Sequence, residues 1–165
     1  MSEWKTMTVL FDAMRGIADE MIATFPDDQF DVPVGDANSA KWIAGHLALG
    51  MGFGLNLLGV VPEEIAEMMP TYGPGSPGGA IGDDGRDKAS LLAIFRGRGE
   101  ELKAAVAAAA PEHFQSPNTT PFLAKEMPTV GDLLAHVYTT HITLHAGQLS
   151  QMRRQLGLPS MFAFT

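Results

Sequence analysis

Four long segments of this chain repeat apolar residues at helical spacing, and each is followed by proline or glycine. The segments are residues 3–24, 38–58, 87–110 and 129–156. In the first, Phe11, Met14 and Met21 share one face of a 3.6-residue period, and Pro26 follows its end. We find no convincing strand-like alternation of polar and apolar residues. The sequence therefore predicts an all-α fold, a four-helix bundle whose apolar stripes share one core.

The connections between the four segments are long. Residues 62–69 are predicted to form a short helix, whereas residues 70–85 are rich in glycine and proline and are predicted to form a surface loop. Residues 112–128 are predicted to be irregular. Such lengths allow a crossover, so the order of the helices around the bundle stays open. The second segment also contains four glycines, which either permit close helix contacts or only weaken the helix: Gly45, Gly50, Gly52 and Gly54.

Composition narrows the class of protein further. A chain of 165 residues is most simply one domain, residues 1–165. It has no cysteine, which excludes disulfides, thiolate metal sites and a cysteine nucleophile. The net charge of −8 argues against binding to nucleic acid. We see no signal peptide and no membrane span, so a cytoplasmic location without membrane association is expected.

His141 and His145 lie four residues apart in the last segment. Residues at this spacing differ by about 40° in direction and about 6 Å in rise along a helix, so both imidazoles can reach one point. Both lie in the apolar stripe, where an unpaired ring costs about 1–3 kcal/mol. A shared cation explains the pair better than two separately hydrogen-bonded core histidines.

His46 lies in the apolar stripe of the second segment, between Trp42 and Phe53. Alone, such a residue is usually a hydrogen-bonded core histidine. With the pair on the last helix, it would complete a set of three imidazole nitrogens typical of metal sites. We therefore take His46, His141 and His145 as candidate metal ligands, provided that the two helices adjoin.

The other polar residues near this pattern are predicted to stay outside the site. At 100° per residue His136 points about 140° away from His141, and His113 is expected to be solvated in a proline-bracketed loop. Arg153 and Arg154 are also expected to face solvent. Gln148 is a candidate to orient a metal-bound water, with an interhelical hydrogen bond as the alternative. No zincin motif, serine elbow or phosphate-binding loop is present.

The chain resembles the DinB/YfiT-like superfamily of metalloenzymes along essentially its whole length. The resemblance is carried by the four helices, by Trp-Ile-Ala-Gly-His at 42–46 and by His-x-x-x-His-x-Gly-Gln at 141–148. Arg-Gln-Leu-Gly follows at 154–157. The chain departs from many relatives at Ala146, where a basic residue often stands, which weakens the case for recognition of a thiol cofactor.

The resemblance implies that His46, His141 and His145 bind a divalent metal ion such as nickel, zinc, iron or manganese. Superfamily members include bacillithiol and mycothiol S-transferases and a mycothiol-dependent maleylpyruvate isomerase. A small-molecule substrate and a low-molecular-weight thiol cofactor are thus implied for this chain. Homodimers are common among the members, and the apolar tail at residues 161–164 would suit either such an interface or packing on its own bundle.

Three functions remain open from the sequence. The first is a metal-dependent transferase, resembling a thiol S-transferase, or a hydrolase. The second is a non-catalytic, stress-related helical protein that binds a metal or a small ligand. The third is an interaction protein in which the histidines are ordinary core residues.

Overall fold

The computed structural model describes residues 2–161, so residues 162–164 of the apolar tail at 161–164 lie outside the described residues. The helices are α1 (Ser2–Ala23), α2 (Ala40–Leu57), α3 (Glu64–Tyr72), α4 (Lys88–Ala108), α5 (Pro111–Phe114), α6 (Val130–Ala135) and α7 (His141–Gln155). A 3-10 helix spans Asp27–Gln29, and a π-helical segment, His136–Thr140, joins α6 to α7. Residues 2–161 contain no β-strand, which confirms the all-α class. None of the helices in this range is long and apolar enough to cross a membrane.

Four rods form the bundle: α1, α2, α4, and the continuous rod of α6, the π-helical segment and α7, here called the C-terminal rod. The α1 helix packs against α4 and the C-terminal rod, and α2 packs against the same two rods. The first and second helices of the sequence are therefore diagonal in the bundle. The long connections predicted from the sequence make this order possible, and it brings α2 beside the last helix.

The α2 helix occupies the centre of the core, and its residues 40–52 are buried throughout. Its glycines permit close contacts rather than merely weakening the helix. A Cβ atom at Gly45 would overlap the Tyr72 ring of α3, and one at Gly52 would overlap Ile65 of the same helix. A Cβ atom at Gly54 would lie 2.9 Å from Leu102 of α4. Small residues thus let α3 and α4 approach α2 closely.

The predicted helix ends agree well with the structure. Ser39 caps α2, its hydroxyl accepting a hydrogen bond from Trp42 N at 3.2 Å. Thr129 and Asp132 form the predicted capping box at the start of α6. Gly157 follows α7 with a φ of 70°, a left-handed conformation that glycine adopts without strain.

Three predictions about the fold are wrong. Residues 112–128 are not irregular throughout, because α5 extends to Phe114. Pro70 does not begin a loop, because α3 continues through it to Tyr72. Burial of the Tyr72 ring against α2 outweighs the cost of proline within a helix. Arg153 does not face solvent but is buried, and its guanidinium donates to Thr24 Oγ1 at 3.1 Å at the end of α1. Arg154 is exposed, as expected.

Candidate metal centre

The structure brings His46, His141 and His145 together between α2 and the C-terminal rod. One ring nitrogen from each residue lies within 4.8 Å of the other two. The Nε2 atoms of His46 and His141 are 3.0 Å apart. The centre of the His145 ring lies 4.7 Å from the centre of each of the other two rings. Residues 95 positions apart in sequence therefore form one compact cluster of imidazoles.

His46 is fixed on two sides by its surroundings. Its Nδ1–H donates to the backbone carbonyl oxygen of Tyr72 at 2.6 Å. The Trp42 indole stacks on the imidazole, with ring centres 4.5 Å apart and planes at 12°. Trp42 Nε1–H in turn donates to Ser76 Oγ at 2.9 Å. The proton on Nδ1 leaves the lone pair of a neutral His46 on Nε2, which faces the other two histidines.

Tyr72, which supplies that carbonyl, is itself tied to a buried ion pair. Its hydroxyl donates to Asp84, and Lys41 Nζ lies 2.7 Å from the same carboxylate. Burial, followed by the contact with Asp84, raises the pKa of the Tyr72 hydroxyl, which therefore remains a donor. Burial alone would raise the pKa of Asp84, but the hydrogen bonds from Lys41 and Tyr72 bring it below its usual range. These contacts hold α3 and the loop after it against α2.

His145 and His141 are held differently on the C-terminal rod. His145 Nδ1–H donates to Gln148 Oε1 at 2.8 Å, which directs its Nε2 towards the cluster. His141 packs against Gly50 of α2, where a Cβ atom would lie only 2.9 Å from ring atom Cε1. Its Nδ1 is buried and has no hydrogen-bond partner among residues 2–161. Gln148 thus orients a histidine of the cluster and makes no interhelical hydrogen bond within residues 2–161.

The arrangement of donors and lone pairs fits a bound cation. His46 and His145 both commit Nδ1 to an oxygen acceptor and leave Nε2 free, the pattern of histidines that bind metals. Two nitrogens bound to one ion at about 2.0–2.1 Å stand about 2.9 Å apart at a right angle and about 3.3 Å apart at a tetrahedral angle, and the observed Nε2 separation of 3.0 Å lies in this range. Without a cation, His141 Nε2–H donates to His46 Nε2, so a proton occupies the space between two nitrogens that a cation could fill.

Burial also favours the neutral imidazoles that a metal requires. Burial, together with the neighbouring histidines, lowers the pKa of His141 to about 2. Burial and the proximity of His46 lower the pKa of His145 to about 4. Burial lowers the pKa of His46 too, although the Tyr72 carbonyl partly opposes this. All three rings are therefore neutral near pH 7 and can offer a lone pair.

Two other histidines differ from the sequence-based prediction. The π-helical segment hydrogen-bonds residues five apart, and His141 N–H donates to His136 O, so His136 lies near His141 instead of pointing away. Their ring centres are 5.6 Å apart, although His136 is not part of the three-nitrogen cluster. His113 is half-buried, and its Nε2 lies 2.8 Å from the carbonyl oxygen of Leu57 at the end of α2.

A cavity of about 280 Å³ opens beside the cluster, and all three histidines form part of its wall. We call it the apolar chamber. Besides the histidines, it is bordered by apolar residues of α2, of the C-terminal rod and of the loop before α6, including Leu49, Phe53, Leu133, Val137, Phe122 and Leu123. The cluster therefore has an open side where a small molecule can approach.

Sequence reasoning missed Gly50 and the Tyr72 carbonyl. Gly50 was detectable in principle, because it lies one turn after His46 on the same face of α2, where an incoming ring needs space. The Tyr72 carbonyl had no sequence signal, because any residue type offers a backbone oxygen. The contribution of Phe122 and Leu123 to the chamber was also hidden, since they lie in a segment without periodicity.

The family model described as DinB superfamily matches residues 10–149 of the chain. This range includes all three histidines of the cluster and most of the four rods. A search of curated proteins found no match.

Proposed function

The chain belongs to the DinB superfamily, and we propose that it is a cytoplasmic, metal-dependent enzyme acting on a small molecule. In this proposal His46, His141 and His145 hold a divalent ion such as nickel, zinc, iron or manganese. The supporting observation is a three-nitrogen cluster that opens onto a cavity. Structural zinc sites are usually closed by four protein ligands, whereas catalytic sites keep a position for water or substrate.

A divalent ion bound there would act as a Lewis acid and would lower the pKa of a coordinated water or thiol towards neutrality. The chain's own residues supply orientation. The Tyr72 carbonyl and the Gln148 side chain fix the rings of His46 and His145, and the chamber wall places apolar side chains beside them. The ring stacked on His46, that of Trp42, restricts its rotation further.

Thiol S-transfer is the reaction class that we propose first. The thiol would come from a low-molecular-weight cofactor, because the chain has no cysteine of its own. The thiolate sulfur would form a bond to the electrophilic carbon of a substrate, whose leaving group departs with the bonding electron pair. Hydrolysis, with water in place of the thiol, is the related alternative. We further propose a homodimer, which sedimentation at two protein concentrations would test.

A non-catalytic binding protein is the second candidate, and one observation favours it. Among the described residues that border the chamber, none is a carboxylate, lysine or tyrosine that could act as a separate acid or base. His136 is the only ionisable residue of that wall outside the cluster. If the metal is purely structural, its removal should unfold the bundle, because binding energy would then be folding energy.

Reconstitution with single metals followed by elemental analysis tests the proposal at its base. We expect about one ion per chain in the wild type and none in His145→Ala. Turnover is then measured with bacillithiol and other small thiols against a panel of electrophiles, using His145→Ala as the control. Metal-dependent turnover supports the enzyme. Metal binding without turnover above the control, together with unfolding on chelation, would favour a structural metal in a binding protein.

A further inference from the structure

The wall of the apolar chamber is mostly apolar, and its polar side chains lie towards one end. Its wall comes from both α2 and the C-terminal rod, through Leu49, Phe53, Leu133 and Val137. Among the described residues that border it, no side chain is charged and none carries a hydroxyl or an amide. Four histidines are the polar side chains that the described part of the chain contributes to it, and three of them lie at the candidate metal centre. Polar recognition in the chamber is therefore concentrated at one end.

The loop before α6 contributes two apolar residues to the chamber wall, Phe122 and Leu123, and hydrogen bonds hold this loop in place. Asn118 is buried, and its amide donates to the carbonyl oxygens of Phe122 at 3.1 Å and Met127 at 2.9 Å. Its Oδ1 accepts from Thr120 N at 3.0 Å. The Phe122 ring packs edge-on against Phe53 of α2, with ring centres 5.7 Å apart. This internal network fixes a segment that has no regular secondary structure of its own.

Leu123 is the residue in this loop with an unusual backbone. Its φ is 51°, the left-handed region that non-glycine residues seldom occupy. Its carbonyl oxygen accepts from Met127 N at 2.7 Å, which helps to hold this conformation. The side chain borders the chamber and is 42% exposed, so it stands at the chamber mouth. An apolar side chain is thus kept at the entrance although glycine would suit the backbone better.

We propose that the apolar chamber takes the body of an uncharged, apolar small molecule whose polar reacting atom faces the three imidazoles. This inference deepens the proposed function and rests on it, since it assigns a substrate class to the same site. A charged group inside the chamber would lose its hydration without finding a partner on the wall. At about 280 Å³ the chamber also lies near the lower limit for ligand pockets, about 300–1,000 Å³.

Two fluorescent probes that differ by one charge test this inference. N-phenylnaphthylamine is uncharged, and anilinonaphthalene sulfonate has the same ring skeleton with an added sulfonate. Both are titrated against the metal-free full chain, so that a metal cannot coordinate the sulfonate. We expect saturable binding of the neutral probe and binding of the anionic probe at least about tenfold weaker, because the chamber offers the sulfonate no partner. Equal affinities, or no binding of the neutral probe, would overturn the proposal.

Substitutions at the chamber mouth locate the bound probe. Leu123→Arg should weaken binding of the neutral probe about tenfold or more and narrow the preference over the anionic probe. Leu123→Gly relieves the backbone, so its Tm should stay near that of the wild type while affinity for the neutral probe falls about tenfold. Leu144→Ala is the control, since Leu144 is 60% exposed on α7 and does not border the chamber. Equal effects of the Leu123 and Leu144 substitutions would place the probe elsewhere and overturn the proposal.

The design separates this inference from the proposed function. If the metal-free protein binds the neutral probe as expected but takes up no metal, the proposed enzyme fails while the chamber retains its apolar selectivity. If the protein takes up metal and turns over thiols, but the neutral probe does not bind, the assignment of the substrate class fails alone. The metal-loaded protein provides a further check, because a probe that fills the chamber should inhibit turnover competitively.

Discussion

The two rods that carry the candidate ligands hold them in opposite ways. On α2, His46 is paired with a backbone carbonyl, stacked under an indole and supported by the buried Tyr72. On the C-terminal rod, His141 follows a π-helical segment and keeps a buried nitrogen without a partner among the described residues. On α2, the fold alone therefore provides a hydrogen-bond partner for the nitrogen of His46 that faces away from the cluster. The C-terminal rod keeps one buried polar atom, His141 Nδ1, that the described residues leave without a partner, and such an atom in a native structure calls for an explanation.

Replacing His46 or His141 by leucine should give the largest effects and tests the contrast between the two rods most directly. His46→Leu and His141→Leu should both weaken zinc binding by more than about 100-fold, beyond the 10–100-fold typical of second-shell losses. Their effects on the metal-free protein should differ. His46→Leu leaves the Tyr72 carbonyl unpaired and should cost about 1–3 kcal/mol of unfolding free energy. His141→Leu removes the unpaired nitrogen and should cost much less, or even stabilise the protein.

Urea unfolding of the chelated variants measures this difference, and zinc affinity comes from competition with a chelator of known strength. The conservative changes His46→Gln and His141→Gln serve as controls, because only a side chain that can still donate should partly restore the bond to the Tyr72 carbonyl. Equal destabilisation by the two leucine variants would show that the different surroundings of His46 and His141 do not change the unfolding free energy of the metal-free protein.

Gly50→Ala should cause the next largest loss of zinc affinity, because a methyl group on α2 would overlap the His141 ring of the C-terminal rod. The added methyl group would lie 2.9 Å from His141 Cε1 and 3.2 Å from its Nδ1, so the ring must move. We expect zinc affinity to fall about tenfold or more, as it does when a ligand is misoriented. Gly97→Ala on α4 is the matched control, since nothing lies within 4 Å of its Cβ position. Comparable losses of zinc affinity in both variants would count against steric displacement of His141.

Acid should destabilise the metal-free protein mainly through the C-terminal rod. His145 has a folded pKa of about 4 and His141 of about 2, against 6.5 when unfolded. Below pH 6.5 the unfolded chain binds protons that the folded one does not, so stability is present above 6.5 and is lost as pH falls through this window. Each such histidine contributes up to about 1.4 kcal/mol per pH unit. Urea unfolding of the chelated protein at pH 7, 6 and 5 should show that the unfolding free energy falls as pH falls. The variant His141→Leu should reduce this dependence on pH. An unchanged dependence would contradict the lowered pKa of His141.

Gln148→Ala should have the smallest effect of the four. It removes the acceptor for His145 Nδ1–H, but Gln148 is exposed and water can take its place. We expect zinc affinity to fall by about tenfold or less, the lower end of the second-shell range. Gln155→Ala at the exposed end of α7 is a suitable control. A loss as large as that of His145→Ala would mean that Gln148 has a larger role than orienting one ring.

The sequence predicted the α-helical class and the histidines that cluster because both follow from periodicity. Helical stripes placed the long rods within a few residues of their observed bounds, and the spacing of His141 and His145 put them on one face. The position of His136 was wrong because a constant 100° per residue does not hold across a π-helical segment. No composition signal marks that change of pitch.

Packing explains the other differences. The helix continues through Pro70 because Tyr72 packs against Gly45 of α2. Arg153 is buried because its guanidinium meets Thr24 at the end of α1. The diagonal placement of α1 and α2 likewise depends on all the rods together. Local patterns thus determine which segments are helical and which faces are apolar, whereas partners brought close only by the bundle decide the details of the site.

The indole stacked on His46 gives the protein an optical readout of its own. Only one other tryptophan is present in the chain, Trp4, and it stacks on Phe114 away from the cluster. Emission from Trp42 therefore senses events at the adjacent imidazole, while Trp4 supplies a nearly constant background that Trp4→Phe can remove. Loading of a quenching ion such as nickel can consequently be followed in real time on unlabelled protein.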